Sequence, residues 1–70
     1  MIAETELEMV RRHVWKGQRL LSRQREIIGE IAARNQTTGI AKGLLVEFER
    51  CQDAHEDHLA RLVSNGPEWL

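Results

Sequence analysis

The sequence has 70 residues, of which 41% are hydrophobic and 30% charged, and its formal net charge at pH 7 is -1. A chain of this length has room for one domain, residues 1–70, with a small hydrophobic core. The single cysteine excludes an intrachain disulfide, and the acidic start of the chain lacks the apolar run of a signal peptide or membrane span, so we expect a cytoplasmic protein without a membrane contact.

The first predicted element is a helix over about residues 5–35. Thr5 and Glu8 have the spacing of a capping box, in which the two side chains satisfy exposed amide groups at a helix start. Mostly apolar residues then recur at alternating spacings of three and four along the helix, which is typical of a helix with one interacting face. This helix 1 seam consists of Leu7, Val10, Val14, Gly17, Leu21, Gln24, Ile28 and Ile31.

The second predicted element is a helix over about residues 38–64, capped by Thr37 or Thr38 and ended by Asn65-Gly66-Pro67. Its predicted seam consists of Ala41, Leu44, Phe48, Cys51, His55, His58 and Leu62. Residues 35–39 between the helices are so few that helix 2 must run back beside helix 1. The chain is therefore predicted to be all-α, an antiparallel two-helix hairpin. The last residues, Glu68-Trp69-Leu70, form an apolar tail that could fold over the bundle end.

Folding the hairpin about Thr38 predicts which residues of the two helices meet. In this register Gly17 lies near His58 and Leu59. Glycine costs about 1 kcal/mol against alanine inside a helix, so we interpret Gly17 as making room for bulky side chains rather than as a kink.

The apolar stripes are wider than a two-helix seam requires, since Leu20 and Ile27 flank one ladder and Leu45 and Leu59 flank the other. Three apolar positions per heptad are typical of helices buried on two sides. We therefore predict a homodimer with two-fold symmetry that forms a four-helix bundle. The residues assigned to core and dimer are Leu20, Leu21, Ile27, Ile28, Phe48, Leu59 and Leu62.

Charged residues are segregated. Helix 1 carries a basic stripe, defined as Arg12, Lys16, Arg19 and Arg23, and helix 2 carries an acidic stripe, defined as Glu49, Asp53, Glu56 and Asp57. One interpretation is two solvated faces that attract each other between hairpins. The other is a nucleic-acid surface, with Trp15 available for stacking, although a pI of about 6.3 argues against it. The candidate partner or RNA surface is Arg12, Trp15, Lys16, Arg19 and Arg23.

The histidines raise a metal hypothesis, because Cys51, His55 and His58 share one helical face and His13 could approach them. The spacing does not match the His-Glu-x-x-His pattern of zinc proteases. Polar residues in the seam of a small bundle more often fix register and partner number, so we predict a polar layer and no metal. Its members are Gln24, Gln52, His55 and His58. Acidification should charge such imidazoles and loosen the dimer.

The sequence predicts neither an enzyme nor a cofactor. No serine or cysteine has an evident base and oxyanion donors around it, and no Gly-rich phosphate loop is present. A narrow bundle also offers little concave volume for a substrate pocket.

Two resemblances bear on the fold. Residues 39–62, GIAKGLLVEFERCQDAHEDHLARL, together with QREII at residues 24–28, resemble a group of short uncharacterised helical proteins of alphaproteobacteria, which implies no activity. In shape and length the hairpin is also similar to the plasmid copy-number protein Rop, a dimeric four-helix bundle that binds paired RNA loops. That similarity implies an RNA surface along helix 1.

These features favour a homodimeric protein-interaction module with a regulatory or scaffolding role and an unidentified protein partner. The alternative is an RNA-binding regulator that uses the basic face of helix 1. A metal-binding bundle built on histidine and cysteine is a further alternative.

Overall fold

A computed structural model describes residues 3–65 and shows two helices, α1 (Glu6–Ala33) and α2 (Gly39–Asn65), packed against each other. No strand occurs in this part of the chain. The predicted all-α antiparallel hairpin is therefore confirmed, with helix ends within two residues of the expected ones. The predicted tail, Glu68-Trp69-Leu70, lies outside the described residues.

The start of α1 is fixed by Thr5, which occupies the N-cap position with an extended backbone. Its hydroxyl oxygen accepts a hydrogen bond from the Glu8 amide at 3.1 Å and donates to the Glu8 carboxylate at 3.0 Å. The bond from the Glu8 amide to the Thr5 hydroxyl is one half of the predicted capping box. The Glu8 carboxylate accepts from the Thr5 hydroxyl, whereas a complete capping box would have it accept from the Thr5 amide. Glu6 and Glu8 also place negative charge near the positive end of the helix dipole.

The end of α1 is closed by a Schellman motif centred on Asn35, which has a φ of 57°. The Asn35 amide donates to the carbonyl of Ala32 at 3.0 Å, and the Gln36 amide donates to the carbonyl of Ile31 at 3.2 Å. Asparagine tolerates this left-handed conformation better than other residues with a side chain. The first turn of α2 follows at once, with the Thr38 carbonyl accepting the Lys42 amide at 2.8 Å.

The seam of α1 lies where the sequence places it, whereas two of the seven predicted seam residues of α2 are exposed. Among the described residues, the buried side chains are Val10, Leu21, Gln24, Ala41 and Gln52. Leu44 is 47% exposed and Cys51 is exposed, while Leu45 is half-buried. The prediction that Leu44 and Cys51 belong to the seam is wrong, since their neighbours Leu45 and Gln52 occupy it.

The predicted register is also wrong. Gly17 lies against Gln52, whereas His58 lies against Glu6. Six residues separate Gln52 from the expected partner His58, which corresponds to about 9 Å along a helix. The non-helical residues 36–38 are long enough to allow this shift, because three extended residues span about 10 Å.

The hairpin is a flat slab with principal extents of 57 × 26 × 13 Å. Its smallest dimension is close to the diameter of one helix, about 10–12 Å. Both broad faces of the slab are therefore surface, and the core is limited to the line where the helices touch. Within residues 3–65, neither helix has an apolar stretch of the length that crossing a membrane needs.

Candidate interaction surface

One broad face of the slab contains a cleft of about 240 Å³ between the two helices. It is lined by His13, Lys16, Gly17, Leu20, Phe48, Cys51, Gln52 and His55. Leu44 continues the same helical stripe, since it lies four residues before Phe48. We call this side of the hairpin the cleft face.

Gly17 and Gln52 form the floor of the cleft. Gln52 is 4% exposed, and its Nε2 donates to the Val14 carbonyl at 2.9 Å and to the Glu56 carboxylate at 3.2 Å. A Cβ atom at position 17 would overlap the Gln52 Oε1 atom. Gly17 therefore permits a close approach of a side chain to the backbone of α1, as the sequence suggested, but the approaching side chain is Gln52.

Gln24 makes the reciprocal contact from α1 to α2. Its Nε2 donates to the carbonyl of Ala41 at 2.8 Å, and the side chain is buried. Each glutamine thus reaches from its own helix to a backbone carbonyl of the other. Such bonds specify which residues face each other, because a shifted register would leave buried amide groups unpaired.

The histidines take two different environments. The rings of His13 and His55 lie 5.2 Å apart at an interplanar angle of 46°, at the margin of the cleft. His58 instead lies with its Nε2 atom 2.9 Å from a carboxylate oxygen of Glu6. The proposed polar layer is therefore distributed along the helix interface. Among residues 3–65, no group of three or more His, Cys, Asp or Glu side chains is arranged to hold a metal ion.

A groove of about 500 Å³ runs beside the cleft on α1 and is lined by Trp15, Lys16, Arg19, Leu20 and Arg23. Trp15 and Leu20 are each 54% exposed, and the Arg19 guanidinium carbon lies 4.9 Å from the centre of the Trp15 ring. This distance is within the range of a cation–π contact. Lys16 and Leu20 line both the groove and the cleft, so they form a ridge between the two depressions.

Two arginines of the basic stripe have carboxylate partners on their own chain. Arg12 donates to both carboxylate oxygens of Glu4, at 3.1 and 2.9 Å. This bidentate hydrogen bond lowers the pKa of Glu4 and raises the pKa of Arg12. Arg23 lies 3.1 Å from Glu26 and 3.5 Å from Glu30. The stripe therefore presents less free positive charge than the sequence alone suggests.

The acidic stripe lies off the cleft face. Glu49, Asp53 and Glu56 each follow directly after a residue that lines the cleft, and one residue corresponds to a rotation of about 100° around a helix. The basic stripe borders the cleft through Lys16. The two stripes thus lie on different sides of the slab. Helical spacing places each stripe on one face of its own helix but does not show how the two faces are oriented relative to each other.

The residues assigned to core and dimer divide into three groups. Leu21 is buried between the helices, and Leu20 is exposed on the ridge. The remaining members are half-buried, namely Ile27, Ile28, Phe48, Leu59 and Leu62.

No protein-family model, no curated protein and no solved structure matches the chain.

Proposed function

We propose that the protein is a homodimeric protein-interaction module in which a second hairpin covers the cleft face. The observation that supports this proposal is the exposure of Leu20 and Leu44 on one broad face of a slab that is a single helix thick. Domains are normally built from at least two packed layers. A second hairpin would supply the missing layer, in an arrangement like the dimeric bundle of Rop.

The accessible surface supports the same proposal. The chain exposes 5771 Å², whereas a compact monomer of 8.1 kDa is expected to expose about 4,500 Å². The excess exceeds the roughly 800 Å² per partner that a stable protein–protein interface buries. A dimer that covers the cleft face would reduce this excess, and its outer surfaces would remain available to a further protein partner in a regulatory or scaffolding role.

Sedimentation equilibrium on two matched variants tests the proposal. Leu44→Asp places a charge on the cleft face, whereas Val46→Asp places it on another side of α2 at a position that is 51% exposed. We expect the wild type and Val46→Asp to be dimers at micromolar concentration, and Leu44→Asp to be a helical monomer. A monomeric wild type, or a Leu44→Asp variant that dimerises like the control, would contradict the proposal.

RNA binding is the second candidate function, because exposed Trp15, Arg19 and Lys16 share one groove. The carboxylate partners of Arg12 and Arg23 weigh against it. The two functions differ in salt dependence, since each phosphate contact steepens the loss of affinity with added salt. Nucleic acid that co-purifies at low salt and is lost in a Lys16→Glu, Arg19→Glu variant would favour the RNA-binding function.

A further inference from the structure

The proposed homodimer raises the question of what fills the cleft. We propose that Trp15 of a second copy inserts into the cleft between α1 and α2, and that the contact is reciprocal. This inference rests on the homodimer proposed above and names the side chain that anchors it.

The cleft is suited to an aromatic side chain. The rings of His13, Phe48 and His55 all line it, and Leu20 supplies an aliphatic wall. Aromatic rings pack favourably against one another in offset or edge-to-face arrangements. Lys16 adds a cation at the margin, which the face of an indole ring attracts. A volume of about 240 Å³ has room for one indole side chain.

Trp15 is the aromatic member among the large exposed apolar side chains of the described chain, which are Trp15, Leu20, Ile40, Leu44, Val46 and Val63. It lies at the level of the cleft, because its groove shares Lys16 and Leu20 with the cleft. The guanidinium of Arg19 already lies over the ring at 4.9 Å. Because the Arg19 contact already restricts the Trp15 ring, less conformational entropy is lost when the ring binds.

Two-fold symmetry allows the contact to form twice. In such a dimer one patch packs against its own copy, so a protruding side chain and its recess must lie within that patch. The ridge of Lys16 and Leu20 separates Trp15 from the cleft. A two-fold axis through this ridge would bring each Trp15 to the cleft of the other copy and pack the two Leu20 side chains together.

Surface area and charge agree with this arrangement. The chain as a whole exposes more surface than a compact monomer of its mass, by more than each partner of a stable dimer buries. Trp15 would bring Arg19 across to α2, where Glu47 lies one helical turn before Cys51. Glu47 now lies 3.4 Å from Arg50 in an exposed pair, and such pairs are weak enough for Glu47 to accept a second cation.

Two single-cysteine proteins test the contact directly. One is the wild type, whose sole cysteine is Cys51, and the other is the Trp15→Cys, Cys51→Ser variant. When the two are mixed and treated with copper–phenanthroline, a disulfide between positions 15 and 51 can form only between two chains. We expect this link at several times the yield obtained with the control variant Val46→Cys, Cys51→Ser, whose cysteine lies on another side of α2.

A second measurement keeps Trp15 in place. In a Trp69→Phe protein Trp15 is the sole tryptophan, so its fluorescence reports its own burial. As the protein concentration rises through the dimer dissociation constant, we expect a shift to shorter wavelength. The rate at which N-ethylmaleimide modifies Cys51 should fall at least fivefold over the same range.

The outcomes separate the two proposals. A dimer by sedimentation with unchanged Trp15 fluorescence and unchanged Cys51 reactivity would overturn the Trp15 contact and leave the homodimer standing. A protein that stays monomeric would overturn both. Burial of Trp15 only in the presence of nucleic acid would also overturn the contact and would favour the RNA-binding function.

Discussion

At the scale of single residues, the contact between Gly17 and Gln52 is the most specific feature of the hairpin. Gln52 donates to a carbonyl of the opposite helix, while its own Oε1 is buried and finds no hydrogen-bond donor among the described residues. An unpaired buried acceptor costs about 1–3 kcal/mol. The packing of the Gln52 side chain against Gly17 and the hydrogen bond from its Nε2 to the Val14 carbonyl offset this cost.

This contact predicts that Gly17→Ala destabilises the hairpin by about 1 kcal/mol, although alanine favours a helix by about the same amount over glycine. The added Cβ would displace Gln52 and break its bond to Val14. Gly29 is the control, because nothing lies within 4 Å of a Cβ built there, so Gly29→Ala should stabilise. Urea unfolding followed by circular dichroism measures both changes. A Gly17→Ala variant as stable as Gly29→Ala would contradict the role of Gln52, and adding Gln52→Ala should remove the penalty.

The pair of Arg12 and Glu4 gives a prediction about pKa. Because the hydrogen bonds from Arg12 lower the pKa of Glu4, Arg12→Ala should return that pKa toward the ordinary glutamate value. Because the pKa of Glu4 is lower in the folded protein than in the unfolded chain, its pair with Arg12 stabilises the fold at pH values above the pKa of Glu4 in the unfolded chain. This contribution is lost as the pH falls through the folded pKa. Titration of the Glu4 side chain by NMR in both proteins checks the direction, and an identical pKa would show that the pair does not persist in solution.

At the scale of helices, the sequence predicts α1 better than α2 for a physical reason. Apolar residues recur regularly along α1, so its periodicity identifies the buried face directly. In α2 the pairs Leu44-Leu45 and Cys51-Gln52 each offer two candidates for one position. The more apolar member of the second pair is exposed, and the glutamine is buried because it finds carbonyl and carboxylate acceptors. Hydrophobicity alone does not contain that information.

The candidate site was predictable only in part. The basic stripe and Trp15 follow from helical spacing, and the glycine inside a helix signals a close contact. The cleft depends on the register of the two helices, to which the hydrogen bonds of Gln24 and Gln52 contribute. The pairing of Arg12 with Glu4 was not evident either, because Glu4 precedes the helix.

The Schellman motif gives a prediction for α1. Asn35 has a φ of 57°, a conformation that glycine adopts without steric cost. Asn35→Gly should therefore stabilise the hairpin slightly, and Asn35→Ala should destabilise it by about 1 kcal/mol. Thermal unfolding at a fixed protein concentration compares the two variants. Equal stability of both would indicate that the left-handed turn does not form.

At the scale of the whole molecule, the hairpin combines a specific interface between its helices with a broad face that has no second layer. The interface is narrow, and its buried polar bonds determine register more than they add hydrophobic stability. The cleft face lies over the middle of that interface and includes Leu20. Dimerisation on this face would therefore stabilise the same register that creates the cleft, so folding and association should be coupled.

The two histidines of the cleft predict that acidification weakens the proposed dimer. The ring centres of His13 and His55 lie 5.2 Å apart, and Lys16 lines the same cleft; an imidazole carries a positive charge when it is protonated. Protonation would gather like charges where the second copy is proposed to pack. His58 acts in the opposite direction, because a protonated His58 would form an ion pair with Glu6 within one hairpin.

Sedimentation equilibrium at pH 7.5 and pH 5.5 measures the effect, and we expect the dimer dissociation constant to rise about tenfold on acidification, which corresponds to roughly 1.4 kcal/mol. His55→Gln should reduce this change because it removes one of the two facing imidazoles. His58→Gln should leave it intact, since His58 lies against Glu6 rather than in the cleft. If both variants changed the pH dependence of the dissociation constant equally, the pH-sensitive contact would lie elsewhere, because of these two histidines it is His55 that lines the cleft.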